Sequence, residues 1–193
     1  MKCAAWLAVI VVVGAAMVLV VSGCGGPEIS SSETQTTSPG ATERPAGPPQ
    51  VVVPAGSKSV FALDLSKSGT PSLVDQRGIA SAKIAGGVLE IRTAKDDCNF
   101  GLFPKRAAGI KPPLWLKIEM SNTAPKAFGQ VYWSEEGRLS EASSAKWKLL
   151  GDGQMHTYAV EIKAARPVIY LRLDPSNRKE TVKIGLLEVF SQG

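Results

Sequence analysis

The stretch "VIYLRLDPSN", residues 168–177, decides the fold. Ile169, Leu171 and Leu173 alternate with Tyr170, Arg172 and Asp174, and an apolar-polar period of two belongs to a strand with one face on a core and the other facing out. Asp174-Pro175 then stops the strand, because the aspartate side chain bonds its own backbone and proline cannot extend a ladder.

The neighbouring sequence repeats this pattern. Period-two alternation or β-branched enrichment marks candidate strands at 60–65, 79–84, 88–92, 115–121, 128–134, 146–150, 156–163, 168–174 and 181–190. Turn chemistry separates them at Gly86-Gly87, Pro112-Pro113, Gly137, Gly151-Asp152-Gly153 and Pro175. No window holds a helical period for three turns. Eight or nine short strands at this spacing predict an all-β, two-sheet antiparallel sandwich, with residues 95–110 as an irregular excursion.

The same alternation assigns faces. Leu116, Ile118 and Met120 share one side of their strand, opposite Trp115, Lys117 and Glu119. Val131 and Trp133 turn inward, which points Gln130, Tyr132 and Ser134 out, and Tyr158, Val160 and Ile162 form the apolar side of the strand that begins at His156.

The phrases "LKIEMSNT", "GQVYWS", "DGQMHTYAVEI" and "VIYLRLDPSN…VKIGLLEVF", in that order and spacing, resemble the C-terminal part of galactose-binding-like and carbohydrate-binding-module jelly rolls. The resemblance covers residues 61–190 and is best from Trp115 onward. It implies a jelly-roll sandwich with a non-catalytic binding role in glycan handling at a bacterial envelope. No metal is the expected reading, and the competing one is a structural calcium of the kind such jelly rolls often hold near their terminal strands, for which Asp64, Asp174 and Glu188 would be oxygen donors of suitable hardness. The residues themselves call for no cofactor.

Trp115, Tyr132 and Tyr170, accompanied by Lys117, Glu119, Gln130 and Arg172, carry the ingredients of a sugar platform. Flat rings stack on a pyranose face while polar neighbours bond its hydroxyls. The competing reading places the same rings beneath the domain's own loops, as packing.

Catalysis finds little support. His156 is the single histidine and lies on the core-facing side of its strand, so a satisfied structural role fits it better than a Ser-His-Asp set. One histidine without a pair of free cysteines also argues against zinc. A glycosidase needs two convergent carboxylates, and spacing singles out no pair. We therefore expect no enzyme.

Cellular context is written at the other end of the chain. Met1-Lys2 is followed by a run without charge to Val21, the shape of a signal peptide over residues 1–23. Val21-Ser22-Gly23-Cys24 resembles the lipobox of bacterial lipoproteins, in which the cysteine takes diacylglycerol and becomes the mature N-terminus. Gly25 follows it where an aspartate would be associated with inner-membrane retention, which leaves outer-membrane sorting open.

Of residues 25–56, 19 of 32 are Pro, Gly, Ser or Thr and none is aromatic, so with Cys24 they read as a lipidated, disordered linker, with "QVVV" at 50–53 as its hinge. The remaining residues, 57–193, hold 11 of the 12 aromatics and form the expected domain. Its 20 Lys and Arg against 14 Asp and Glu give a net +6, but the charges are scattered and no aromatic-basic motif accompanies them, so nucleic acid is not an expected partner. Cys98, the one thiol of the domain, has no partner for a bridge and reads as a small buried hydrophobe.

Together these features predict a lipid-anchored extracytoplasmic module of the cell envelope. Its expected ligand is carbohydrate or envelope polysaccharide, and the alternative is a structural or assembly lipoprotein that binds a protein of the polysaccharide machinery.

Overall fold

In the computed structural model the residues described are 52–103 and 109–193. Cys24, the signal peptide and the linker up to residue 51 lie outside them. The first strand begins at Lys58, after Val52 and Val53, which belong to no strand.

Eleven strands follow: β1 (Lys58–Ala62), β2 (Val74–Arg77), β3 (Ile79–Ala85), β4 (Val88–Thr93), β5 (Asn99–Gly101), β6 (Leu114–Ser121), β7 (Phe128–Ser134), β8 (Ser144–Lys148), β9 (His156–Ile162), β10 (Tyr170–Asp174) and β11 (Thr181–Ser191). They make two sheets. In sheet A the order is β3-β4-β11-β6-β9, with β1 also against β11, and in sheet B it is β2-β5-β10-β7-β8. Every pairing is antiparallel. The four-strand runs 4-11-6-9 and 5-10-7-8 are the two halves of a jelly roll, reached because the chain changes sheet between most consecutive strands.

Local chemistry explains the elements. β3 and β4 meet through Gly86-Gly87, both with positive φ (58° and 77°), as a two-residue primed hairpin turn requires. In β6, Leu114, Leu116, Ile118 and Met120 are fully buried, while Lys117 and Glu119 are only partly covered on the other side. β11 crosses the whole of sheet A. Its first half pairs with β4 and its second half with β1 along one edge, and β6 lines the other. A register shift between Ile184 and Leu186 marks a bulge at Gly185, after which Leu187 and Val189 resume the inward positions.

The core lies between the sheets. Leu89, Ile91, Ile118, Val182, Ile184 and Leu187 come from sheet A and meet Phe100, Val131, Trp133, Leu171 and Leu173 from sheet B. Burying each such side chain stabilises the fold by ~1.5–3 kcal/mol. Cys98 is fully buried beside this core, its thiol directed at the Ser176 carbonyl at 3.7 Å and pushed up to about 12 by burial. His156 bonds both carboxylate oxygens of Asp152 at 2.9 Å and stands edge-on to Tyr158.

Two strands were not anticipated, β2 and β5. β2 carries one apolar residue and a left-handed Asp75 (φ 48°), and β5 is three residues long within the stretch expected to be irregular. Neither has room for a visible alternation.

Candidate functional site

The seven residues grouped as a sugar platform do not share a face. Trp115, Lys117 and Glu119 stand on β6 and so on the outer face of sheet A, opposite Phe190, Glu188 and Leu186 of β11. Gln130, Tyr132, Tyr170 and Arg172 stand on β7 and β10, on the outer face of sheet B. Alternation told which residues leave the core but not which sheet they leave it from, and β6 and β7 belong to different sheets. The rings also differ from the expectation of open stacking surfaces, since Trp115, Tyr132 and Tyr170 are only 7%, 7% and 6% exposed.

The competing calcium reading is corrected as well. Asp174 is on sheet B, Glu188 is on the outer face of sheet A, and Asp64 follows β1, where its carboxylate accepts from the Ser66 amide and hydroxyl at 3.0 and 2.6 Å. Hydrogen bonding to Ser66 holds the Asp64 carboxyl below its ordinary value. Among the described residues no group of three or more His, Cys, Asp or Glu side chains converges to hold a metal ion.

The outer face of sheet B is the organised surface. Arg172 and Tyr132 are register partners, and the guanidinium lies 4.1 Å from the ring centroid. The same guanidinium donates through Nε and Nη2 to both oxygens of Asp174, at 2.8 and 2.9 Å. Burial nonetheless pushes the Asp174 carboxyl up to about 6, against the opposing pull of Arg172.

A short 3-10 turn, Glu141–Ser143, lays Glu141 over β7. Its carboxylate accepts from the Tyr132 hydroxyl, from Gln130 Nε2 at 3.0 Å, and from Lys146 at 3.2 Å. These bonds, that of Tyr132 first, lower Glu141 to about 2, while burial and the same bond raise Tyr132 to about 12. Both oxygens of Asp174 and both of Glu141 thus accept hydrogen bonds from within the ridge.

Two clefts flank this ridge. The larger, of about 470 Å³, opens over β2, β5 and β10 and is lined by Asp75, Gln76, Arg77, Asn99, Gly137, Leu139, Tyr170 and Arg172. Tyr170 lies across Gly101, where a Cβ would stand 2.7 Å from its hydroxyl oxygen, and it donates to Asp75 Oδ2 at 2.9 Å. Glycine at 101 is what lets the ring lie flat against β5.

The far wall is a loop pinned to the body of the domain. Glu135 accepts from the Ala165 amide at 2.8 Å and from Arg166 Nε at 3.0 Å, and Arg166 Nη1 reaches Glu136 at 2.6 Å. The smaller cleft, of about 200 Å³, lies toward Asp96, Asp97, Phe128 and Asn177 on the other side of Tyr132 and Asp174.

Of the eight residues lining the larger cleft, the sequence reading had singled out two, Tyr170 and Arg172. Arg77 and Asn99 sit opposite each other on β2 and β5, the two strands with no legible alternation. A signal was present in Asn99-Phe100-Gly101, a bulky apolar residue between a polar residue and a glycine, but three residues are too few to separate it from a loop.

No protein-family model and no curated protein sequence matches the chain. Solved structures do. A variant of the family 29 carbohydrate-binding module CBM29-2, in complex with mannohexaose, superposes with a TM-score of 0.52 at 18% identity, over 71% of this chain and 93% of that one. The apo module BiXyn10A CBM1 superposes with a TM-score of 0.50 at 12% identity, over 68% of this chain and 97% of that one. At such identities the likeness concerns the fold, and this chain shares with both modules an antiparallel β-sandwich.

Proposed function

We propose that this chain is a non-catalytic binding module, anchored to a membrane by lipid on Cys24, that takes carbohydrate across the outer face of sheet B on the extracytoplasmic side. The observation that carries the reading is the larger cleft, an open groove on one sheet face lined by Tyr170, by the amides of Gln76 and Asn99 and by the guanidiniums of Arg77 and Arg172. Sugars are bound by such a mixture, in which apolar ring surface meets C–H faces and fixed polar groups select hydroxyls. The fold shared with carbohydrate-binding modules agrees with a binding role.

The lipobox-like Val21-Ser22-Gly23-Cys24 and the polar linker support the anchored location. Two acyl chains or more hold a protein durably on a bilayer, because each buried CH₂ contributes ~0.8 kcal/mol.

A glycan array probed with the full chain in detergent micelles tests the reading. Retention of a defined class of glycan, lost when Arg172 is replaced by Ala, is the expected result. A bare array, together with recovery of one envelope protein from membranes, would show that the face docks protein instead.

A further inference from the structure

Resting on that carbohydrate reading, we infer that the larger cleft is a subsite for a sugar bearing a carboxylate, a uronate-type residue, held by Arg77, Asn99 and Arg172. The hydrogen-bonding groups that the fold leaves uncommitted point to it. Asn99 is 3% exposed, lines the cleft, and its side-chain amide has no hydrogen-bond partner among the described residues. Its amide atoms are not among the enclosed, unsatisfied polar atoms of the described residues, so they reach into the cleft and are placed to bond whatever fills it.

Beside it, at the same register position on the next strand, Arg77 is exposed and has no anionic partner among the described residues. Arg172 spends Nε and Nη2 on Asp174, which leaves Nη1 unspent. The free donors are therefore the whole Arg77 fork, the Asn99 Nδ2 group and Arg172 Nη1.

The acceptors are fewer or already engaged. Asp75 Oδ2 accepts from Tyr170 and Gln76 gives its amide nitrogen to the Leu73 carbonyl at 3.1 Å, which leaves Asp75 Oδ1 and the amide oxygens of Gln76 and Asn99 against the nitrogens of two arginines and Asn99. A site richer in donors than acceptors, with one unpaired guanidinium, matches a ligand that brings acceptors and negative charge, and arginine binds carboxylate through two parallel bonds where it binds a hydroxyl through one. Asp75 also lines the cleft and Asp174 neutralises Arg172, so the two guanidiniums face two carboxylates, and the draw on a ligand carboxylate rests on Arg77, the guanidinium of the cleft that no carboxylate of the described residues pairs.

The test is isothermal titration of the full chain in detergent micelles with three hexasaccharides: of galacturonate, of mannuronate, and of alternating glucuronate and N-acetylglucosamine. Each is compared with the same oligosaccharide after its carboxyls have been reduced to hydroxymethyl groups. In at least one pair the acidic form should bind about 10-fold more tightly than the reduced form, and raising the salt should narrow the difference by screening it. Arg77→Gln should bring the acidic form down to the affinity of the reduced form without changing the melting temperature, because that side chain is exposed. Asn99→Ala should weaken both forms.

Equal binding of acidic and reduced forms in every pair, or a preference that survives Arg77→Gln, overturns the uronate inference and leaves the carbohydrate reading in place. If neither form binds in any pair and the glycan array is also bare, the carbohydrate reading falls with it.

Discussion

The guanidinium of Arg172 lies 4.1 Å from the centre of the Tyr132 ring on the neighbouring strand, and the same guanidinium grips both oxygens of Asp174. One arginine thus joins an aromatic ring and a part-buried carboxylate into a ridge between two clefts. The tyrosines of this face are consequently fixed parts of the surface and not loose plates.

The two carboxyls of the ridge shift in opposite directions, and this gives a signature in stability against pH. Asp174 is raised from 3.8 to about 6, so the folded protein holds a proton there that the unfolded chain has released, and its contribution declines as pH rises from about 4 to 6. Glu141 is lowered from 4.5 to about 2, so its contribution is complete above pH 4.5 and is lost as pH falls toward 2. Chemical denaturation at intervals of pH should show Asp174→Asn removing the first slope and Glu141→Gln flattening the second. Identical pH profiles for wild type and both variants would refute these assignments.

Gly101→Ala should disturb the base of the larger cleft. A Cβ there would stand 2.6 Å from Val74 Cγ2 and 2.7 Å from the Tyr170 hydroxyl oxygen, and the ring must lift to admit it. Overpacking of this kind costs ~1–3 kcal/mol. Thermal melts should show the loss, and ligand binding at the cleft should fall with it. A variant as stable as wild type with unchanged binding would mean that the ring has free space above β5.

Trp133 and Tyr170 separate core from face. Trp133→Ala empties a position between the sheets and should cost ~3–5 kcal/mol. Tyr170→Phe keeps the ring and deletes one bond to Asp75, and should cost about 1 kcal/mol. Tyr170→Ala, at a ring only 6% exposed, should fall between them, so it is not a clean probe of binding. Urea unfolding of the three variants checks the order.

Cys24→Ala should abolish acylation. Intact-mass spectrometry of membrane-extracted protein should find the wild type beginning at an acylated Cys24, and the variant unprocessed and free of lipid. Acyl chains on the variant, or Met1 retained on the wild type, would overturn the anchor.

Where side chains repeat every second residue over five or more positions, the fold was legible. The alternation in "LWLKIEMS", "FGQVYWS" and "HTYAVEI" placed β6, β7 and β9 within a residue of their ends. Of the candidate cleft, Tyr170 and Arg172 were legible because their strand alternates, while Arg77 and Asn99 ride on β2 and β5, too short to show a period. Trp115 was assigned to the same surface because a face is local to a strand, whereas the sheet that owns the strand is decided by partners far away in sequence.

The central place of β11 has a consequence for how the molecule comes to exist. β1, β4 and β6 each need Thr181–Ser191 beside them, so sheet A lacks its middle strand until that segment arrives, and Lys58 must find Ser191 across most of the domain. Closure over such separations is slow compared with pairing of local hairpins. Sheet B takes no strand from that segment and can pair first, whereas the jelly roll can close only after its last strand has arrived.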